Sequence, residues 1–256
     1  MENPWPFWSE KRFPASYENI YVRAFREDWF EITKAIAKEL VSQQKVLDVG
    51  SGEGHTTKQI LDRIPNPYVC DLLEPNPDAL ATSIPFLKTE NTTGKTYCTT
   101  LKDFNPEAVY DAVFTSHTNY YWATDEADYQ EQLEKFVNLC KPGGKALILS
   151  LPSDSDFYKL SSRPLFPKFV FSEYLDDFYS KKGYQVKKRR FTMRFFVQDI
   201  IENPHLLDAK TFYRFVENTL NVPSDDQAKE FVKRIKHNAK NGYLDFKDEL
   251  VLVNAK

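Results

Sequence analysis

Glycine is scarce in this chain, at eight of 256 residues, so wherever glycines gather the backbone needs them. Cysteine is scarcer still: Cys70, Cys98 and Cys140 lie far apart in apolar surroundings. An odd, scattered set argues against a disulfide framework and lacks metal-ligand spacing, so reduced, buried thiols in a cytoplasmic protein are expected. No apolar run approaches the roughly 18 residues that a membrane span needs. The opening MENPWPFWSEKRFP sets charges and prolines where a secretory signal needs an unbroken apolar core. Surplus positive charge is also missing, since the net charge is −3, and that removes the electrostatic footprint of a nucleic-acid binder. Repeats and low-complexity tracts are absent. Hydrophobic residues make up 41%, enough for one sizeable core, and a single domain over 1–256 is expected.

What is present is organised around VLDVGSGEG, Val46 to Gly54. An apolar β-branched run leads into Gly50, Gly52 and Gly54, and HTTKQILDRI follows with helical spacing. Strand, glycine turn, helix is the first unit of an open α/β sheet, whose ligands bind at the carboxyl edge of the strands. The spacing is G-x-G-x-G, neither the dinucleotide G-x-G-x-x-G nor a Walker loop. Asp48, beside the loop, would repel a phosphate and welcome a cation. About twenty residues after Gly54, the buried-strand run YVCDLLEPN ends in Glu74, placed to accept hydrogen bonds from both hydroxyls of a ribose.

VLDVGSGEG, the Glu74 that ends LLEPN, YDAVFTSH and LCKPGGKALILS resemble, in order and spacing, the successive motifs of class I S-adenosylmethionine-dependent methyltransferases. The likeness covers roughly residues 40 to 152. It implies a Rossmann-like, doubly wound seven-stranded sheet with its last strand antiparallel, and S-adenosyl-L-methionine as cofactor. The glycine loop (Gly50, Ser51, Gly52, Gly54) would lie beside the methionine part, with Asp48 near its ammonium group. Glu74 and Pro75 would lie at the ribose, Thr100 after the third strand at the adenine, and Ser116 at the end of the fourth strand.

Along the chain, 1–41 reads as a proline-punctuated arm carrying Trp5, Phe7, Trp8 and Phe13, then helical stretches, and this segment is expected to cover the sheet or act as a lid. A helix from Pro77 to Leu87 should end or kink at Pro85. GKTYCTT, Gly94 to Thr100, reads as the third strand and Val109 to His117 as the fourth. At the latter's carboxyl end SHTNYYW offers His117 as a base, Asn119 as an amide, and Tyr120 and Tyr121 as phenols. A helix over Asp125 to Leu139 and a Pro-Gly-Gly turn precede the fifth strand. Ser172 is expected to cap a helix closed by Gly183. YQVKKRRFTMRFFV reads as the sixth strand, its basic run guarding an edge. A helical insertion over 193–241 precedes the last strand and would cap the substrate.

The YVRAFRE segment, the Tyr-Tyr pair, the insertion and the final strand are similar, more loosely, to the small-molecule methyltransferases around histamine N-methyltransferase. That likeness implies amine contacts from Asp248 and from an acid among Glu27, Asp28 and Glu31. It places His117 where the family has glutamine and Asp248 where it has asparagine, departures that argue against histamine and leave small-amine chemistry standing. Tyr21 and Phe25 would wall the pocket against a cation. No metal is called for, and the partner is a small-molecule acceptor, with no nucleic acid or membrane. The alternatives are a protein or peptide methyltransferase, O-methylation of a phenol, and a cofactor-binding regulator without catalysis.

Overall fold

The computed structural model describes residues 26–64, 68–87, 92–161, 167–203, 207–217 and 223–256. The N-terminal arm, Tyr21 and Phe25 lie outside them. By contacts the chain falls into two compact units, a larger one of Glu31–Leu151, Lys168–Arg190 and Glu249–Lys256, and a smaller one that includes Pro152–Pro167 and Phe191–Asp248.

The larger unit is built on β1 (Lys45–Val49), β2 (Tyr68–Leu73), two short pieces β3 (Thr92–Thr93) and β4 (Thr96–Tyr97), β5 (Tyr110–Ser116) and β6 (Cys140–Ser150). Strands β7 (Gln185–Phe196) and β8 (Tyr243–Asn254) complete the sheet in the order β3-β2-β1-β5-β6-β8-β7, with β4 also on β2. Neighbours from β3 to β6 are parallel, and β8 is antiparallel to β6, pairing Lys145 with Asn254 and Ser150 with Glu249. A strand covered on both faces must be apolar along its length. Accordingly Val46, Leu47 and Val49 of β1 and Ala112, Val113 and Phe114 of β5 are all buried.

Helices flank these strands: α1 (Arg26–Leu40), α2 (His55–Leu61), α3 (Pro77–Leu87), α4 (Glu126–Asn138) and α6 (Ser172–Lys181), with α5 (Asp156–Leu160) falling between α4 and α6 in the chain. Residues Ile32, Ile36 and Leu40 of α1 are fully or almost fully buried, the i, i+4 face that covers a sheet. Asp125 caps α4, its side chain accepting from the Asp128 amide at 2.9 Å.

Three local expectations need correction. The third strand is two dipeptides, because the Lys95 amide bonds to the Asp71 carboxylate at 2.7 Å where a ladder would use a backbone carbonyl. At Gly94, between the two, an added Cβ would fall 1.7 Å from the Cys70 carbonyl oxygen. The Pro-Gly-Gly segment does not precede a strand as a separate turn; it lies inside β6 and shifts the register between Tyr110 and Ala112. Ser172 is the first residue of α6, and Phe171 takes the capping position. Helix α3 has the expected bounds, Pro77–Leu87, with Pro85 in its last turn. Gly183 likewise closes α6 as expected at φ 77°, with the Tyr184 amide reaching the Tyr179 carbonyl.

The smaller unit holds α5, α7 (Gln198–Glu202), α8 (Leu207–Val216) and α9 (Asp225–Asn238), so the insertion turns helical at Gln198, after β7 has ended at Phe196. Ser224 and Gln227 form a capping box at the start of α9. Its core is aromatic: Phe195 and Phe246 lie 4.3 Å apart between centroids, and Phe212 and Phe231 5.7 Å.

Candidate active site

Gly50, Gly52 and Gly54 all have positive φ, at 78°, 54° and 81°, a conformation that glycine adopts without steric cost. The Gly50 amide donates to the Leu73 carbonyl at 2.7 Å, stitching the loop to the end of β2. A Cβ on Gly50 would stand 2.4 Å from Cγ2 of Thr118, so this glycine also lets β5's exit approach. At Gly52 nothing lies within 4 Å of an added Cβ.

Glu74 lies at the carboxyl end of β2, 9% exposed. Its Oε2 accepts the Gly52 amide and its Oε1 the Asn76 amide, both at 2.9 Å. Burial raises its pKa, against the pull of those two bonds. Asp48 at the end of β1 is 3% exposed and accepts from the Thr57 hydroxyl. Burial pushes the Asp48 carboxyl up to about 7, the Thr57 bond opposing and the nearby Glu74 charge adding to the rise. Neither carboxylate forms an ion pair among the described residues. Two buried acids beside a glycine loop make a place suited to positive charge. Ser51 is buried, and its hydroxyl has no hydrogen-bond partner among the described residues.

At the next strand's end, Ser116 and His117 are half-buried. His117 has φ 57°, in the left-handed region, and its amide donates to the Leu149 carbonyl at 3.0 Å. Its Nδ1 lies 3.1 Å from the Tyr120 hydroxyl, which accepts the Leu151 amide at 2.6 Å. Tyr120 is buried and Tyr121 half-buried. Asn119 is fully buried and its Nδ2 donates to Tyr129, Ser150 and the Val170 carbonyl, so it serves the core.

The loop, Glu74, Ser116, His117 and Tyr120 are thus gathered in the larger unit, around the carboxyl ends of β1, β2 and β5. Pro75 is exposed there, its carbonyl accepting at 3.7 Å from the thiol of Cys98, which is exposed and not buried as expected, whereas Cys70 and Cys140 are buried. Thr100 is exposed, its hydroxyl donating to Asp103 at 2.7 Å. Of the acceptor-side acids, Glu27 is exposed and Glu31 pairs with Lys34 at 3.2 Å. Asp28 receives both Nε and Nη2 of Arg194, at 2.8 and 2.9 Å, a fork that already satisfies it. Asp248 belongs to the smaller unit, 1% exposed, one residue before Glu249 in β8. Sequence reasoning missed Thr57 and Thr118. The second was signalled only indirectly, by a glycine at Gly50 whose close neighbour no local pattern names.

Among the described residues no group of three or more His, Cys, Asp or Glu could hold a metal ion, and no helix is long and apolar enough to cross a membrane.

Residues 47–146 match a family described as a methyltransferase domain. Among solved structures, the chain is similar to YcgJ from Bacillus subtilis, with TM-score 0.60 and 12% identity over 90% of this chain and 100% of that one. It is also similar to the plantazolicin methyltransferase BpumL in complex with S-adenosylhomocysteine, at TM-score 0.56 and 12% identity over 98% and 93%. A third similar structure is the N-methyltransferase NodS from Bradyrhizobium japonicum WM9, at TM-score 0.54 and 11% identity over 90% and 98%.

Proposed function

We propose that this chain, which carries a class I S-adenosylmethionine-dependent methyltransferase domain, passes the methyl group to the nitrogen of a small amine. The observation that carries the reading is His117: an imidazole at the carboxyl end of β5, in a left-handed backbone conformation and held at Nδ1 by Tyr120. Backbone strain in a non-glycine residue persists where surrounding structure enforces it, and such residues cluster at functional sites.

The residues present fit the cofactor. Each Glu74 oxygen accepts one backbone amide and keeps a second lone pair, so the carboxylate can also receive two ribose hydroxyls. The open space at Gly52 and the unmatched Ser51 hydroxyl suit close approach by the methionine part. Asp48 and Glu74 together favour a cationic ligand. When bound, the cofactor supplies a methyl group already activated by its sulfonium, so the protein's task is alignment and exclusion of water.

An amine nucleophile must be neutral at the moment of attack. In this reading His117 takes the proton through Nε2, while Tyr120, anchored on the Leu151 amide, fixes the ring's orientation. A carboxylate next to the reacting nitrogen itself would stabilise its protonated form and slow the reaction. NodS, named an N-methyltransferase, lends support as a structural neighbour.

The test is formation of S-adenosylhomocysteine across a panel of small amines, phenols and peptides. Turnover confined to amines, with His117→Ala lowering the rate before it changes cofactor affinity, is expected. Turnover confined to phenols or peptides would replace this acceptor class, and tight cofactor binding without turnover on any member would end the catalytic reading.

A further inference from the structure

Thr118 follows His117 in the SHTNYYW stretch, whose chemistry was read from its imidazole, amide and phenols and not from this threonine. Its hydroxyl donates to the carbonyl of Val49 at 3.1 Å, the last residue of β1. The same oxygen shares a hydrogen bond with the Thr115 hydroxyl at 2.5 Å, which ties it to β5. Its Cγ2, Cβ and Oγ1 stand 2.4, 2.6 and 2.6 Å from where a Cβ on Gly50 would be. One side chain therefore touches the first turn of the cofactor loop on one side and is bonded, through one peptide unit, to the strained His117 on the other. The hydroxyl supplies direction and the methyl supplies bulk: the first holds the Val49 carbonyl, the second fills the hollow left by the missing Gly50 side chain.

We propose that Thr118 is a positioning residue that couples the cofactor loop to His117, so that the Gly50 turn and the imidazole hold their places together. The proposal rests on the cofactor assignment above but not on the acceptor's class. If the Val49 carbonyl loses its donor, the β1–β5 junction loosens at the point where both loops leave the sheet. If the loop gains a side chain at Gly50, Thr118 must yield and His117 moves with it.

The experiment is a double-mutant cycle in the full chain, read by calorimetric Kd for S-adenosylhomocysteine, by melting temperature without ligand, and by the His117 ring signals in NMR with His237 as an internal reference. Failure of the wild-type chain to bind S-adenosylhomocysteine would refute the cofactor assignment itself, a result separate from any about Thr118. Thr118→Val, which keeps the bulk and loses the hydroxyl, should weaken binding at least tenfold and displace the His117 signals without ligand. Thr118→Ser, which restores the hydroxyl, should return both to within threefold of wild type and to the native signal position. Gly50→Ala should cost at least thirtyfold, and Thr118→Gly in that background should recover at least tenfold. Affinities that multiply independently across the cycle within a factor of three, or His117 signals unmoved by Thr118→Val, would overturn the coupling. Should the valine variant not fold, the Gly50→Ala and Thr118→Ser pair decides by the same criterion.

Discussion

The carboxylate of Glu74 accepts the backbone amide of Gly52 at 2.9 Å, so the acid assigned to the ribose also holds the middle of the glycine loop. In the proposed reading one side chain would thus both shape the loop and receive the ligand. Glu74→Ala should weaken cofactor binding by about 1–3 kcal/mol, the cost of leaving buried partners unpaired. Glu74→Gln keeps one acceptor oxygen and should lose less. Calorimetric titration with S-adenosylmethionine checks both, and an alanine variant with wild-type affinity would remove the ribose assignment.

Gly52 allows two costs to be separated. No atom lies within 4 Å of an added Cβ, so Gly52→Ala meets no clash in the protein and bears only the positive φ, about 1–2 kcal/mol of stability. The cofactor should suffer more, because the methyl group occupies the space through which the ligand approaches the loop. A modest fall in Tm together with at least a tenfold rise in Kd is expected. If the affinity is unchanged, the open space at Gly52 is not where the cofactor lies.

The glycine loop, the strand ends and Glu74 were legible because their signals are local: three positive-φ glycines within five residues, and an acid closing an apolar run. The doubly wound sheet and its antiparallel last strand, β8, followed from the resemblance carried by those motifs. Other features were hidden because they depend on contacts distant in sequence. Asp71 takes the Lys95 amide and splits the third strand, Thr118 fills the hollow at Gly50, and Arg194 claims Asp28. Asn119 looked like a candidate amide from its neighbours in the chain, yet its partners are Tyr129, Ser150 and Val170.

Asp48 gives a pH signature of definite sign. Its folded pKa, near 7, exceeds the ordinary 3.8, so between those values the folded chain binds more protons than the unfolded one. The neutral acid is tolerated at low pH, and stability is lost as pH rises from about 4 to about 7, levelling off above that. Asp48→Asn should therefore gain stability over wild type at pH 8 and little at pH 4 when no ligand is present. Cofactor binding should run the other way, since a cation prefers the ionised acid: wild-type affinity should rise with pH through 7 and the Asn variant's should not. Melting and titration at both pH values check the two halves, and a parallel response of wild type and variant would contradict the assignment of Asp48 to the ammonium end.

His117 and Tyr120 make the sharpest test of the chemistry, because the proposal gives them unequal roles. The Leu151 amide fixes the Tyr120 oxygen at 2.6 Å, and that oxygen lies 3.1 Å from Nδ1 of His117. A base that takes the acceptor's proton contributes about 10²–10⁴-fold in rate. His117→Ala should accordingly lower kcat by at least about a hundredfold on the best amine while cofactor affinity stays within threefold. Tyr120→Phe keeps the ring and removes only the hydroxyl that orients the imidazole, so its loss should be nearer tenfold. Added imidazole should restore part of the rate to His117→Ala and none to Tyr120→Phe, where the native ring still occupies the place. Equal losses in the two variants, with no rescue of either, would mean that the pair shapes the pocket and that another group takes the proton.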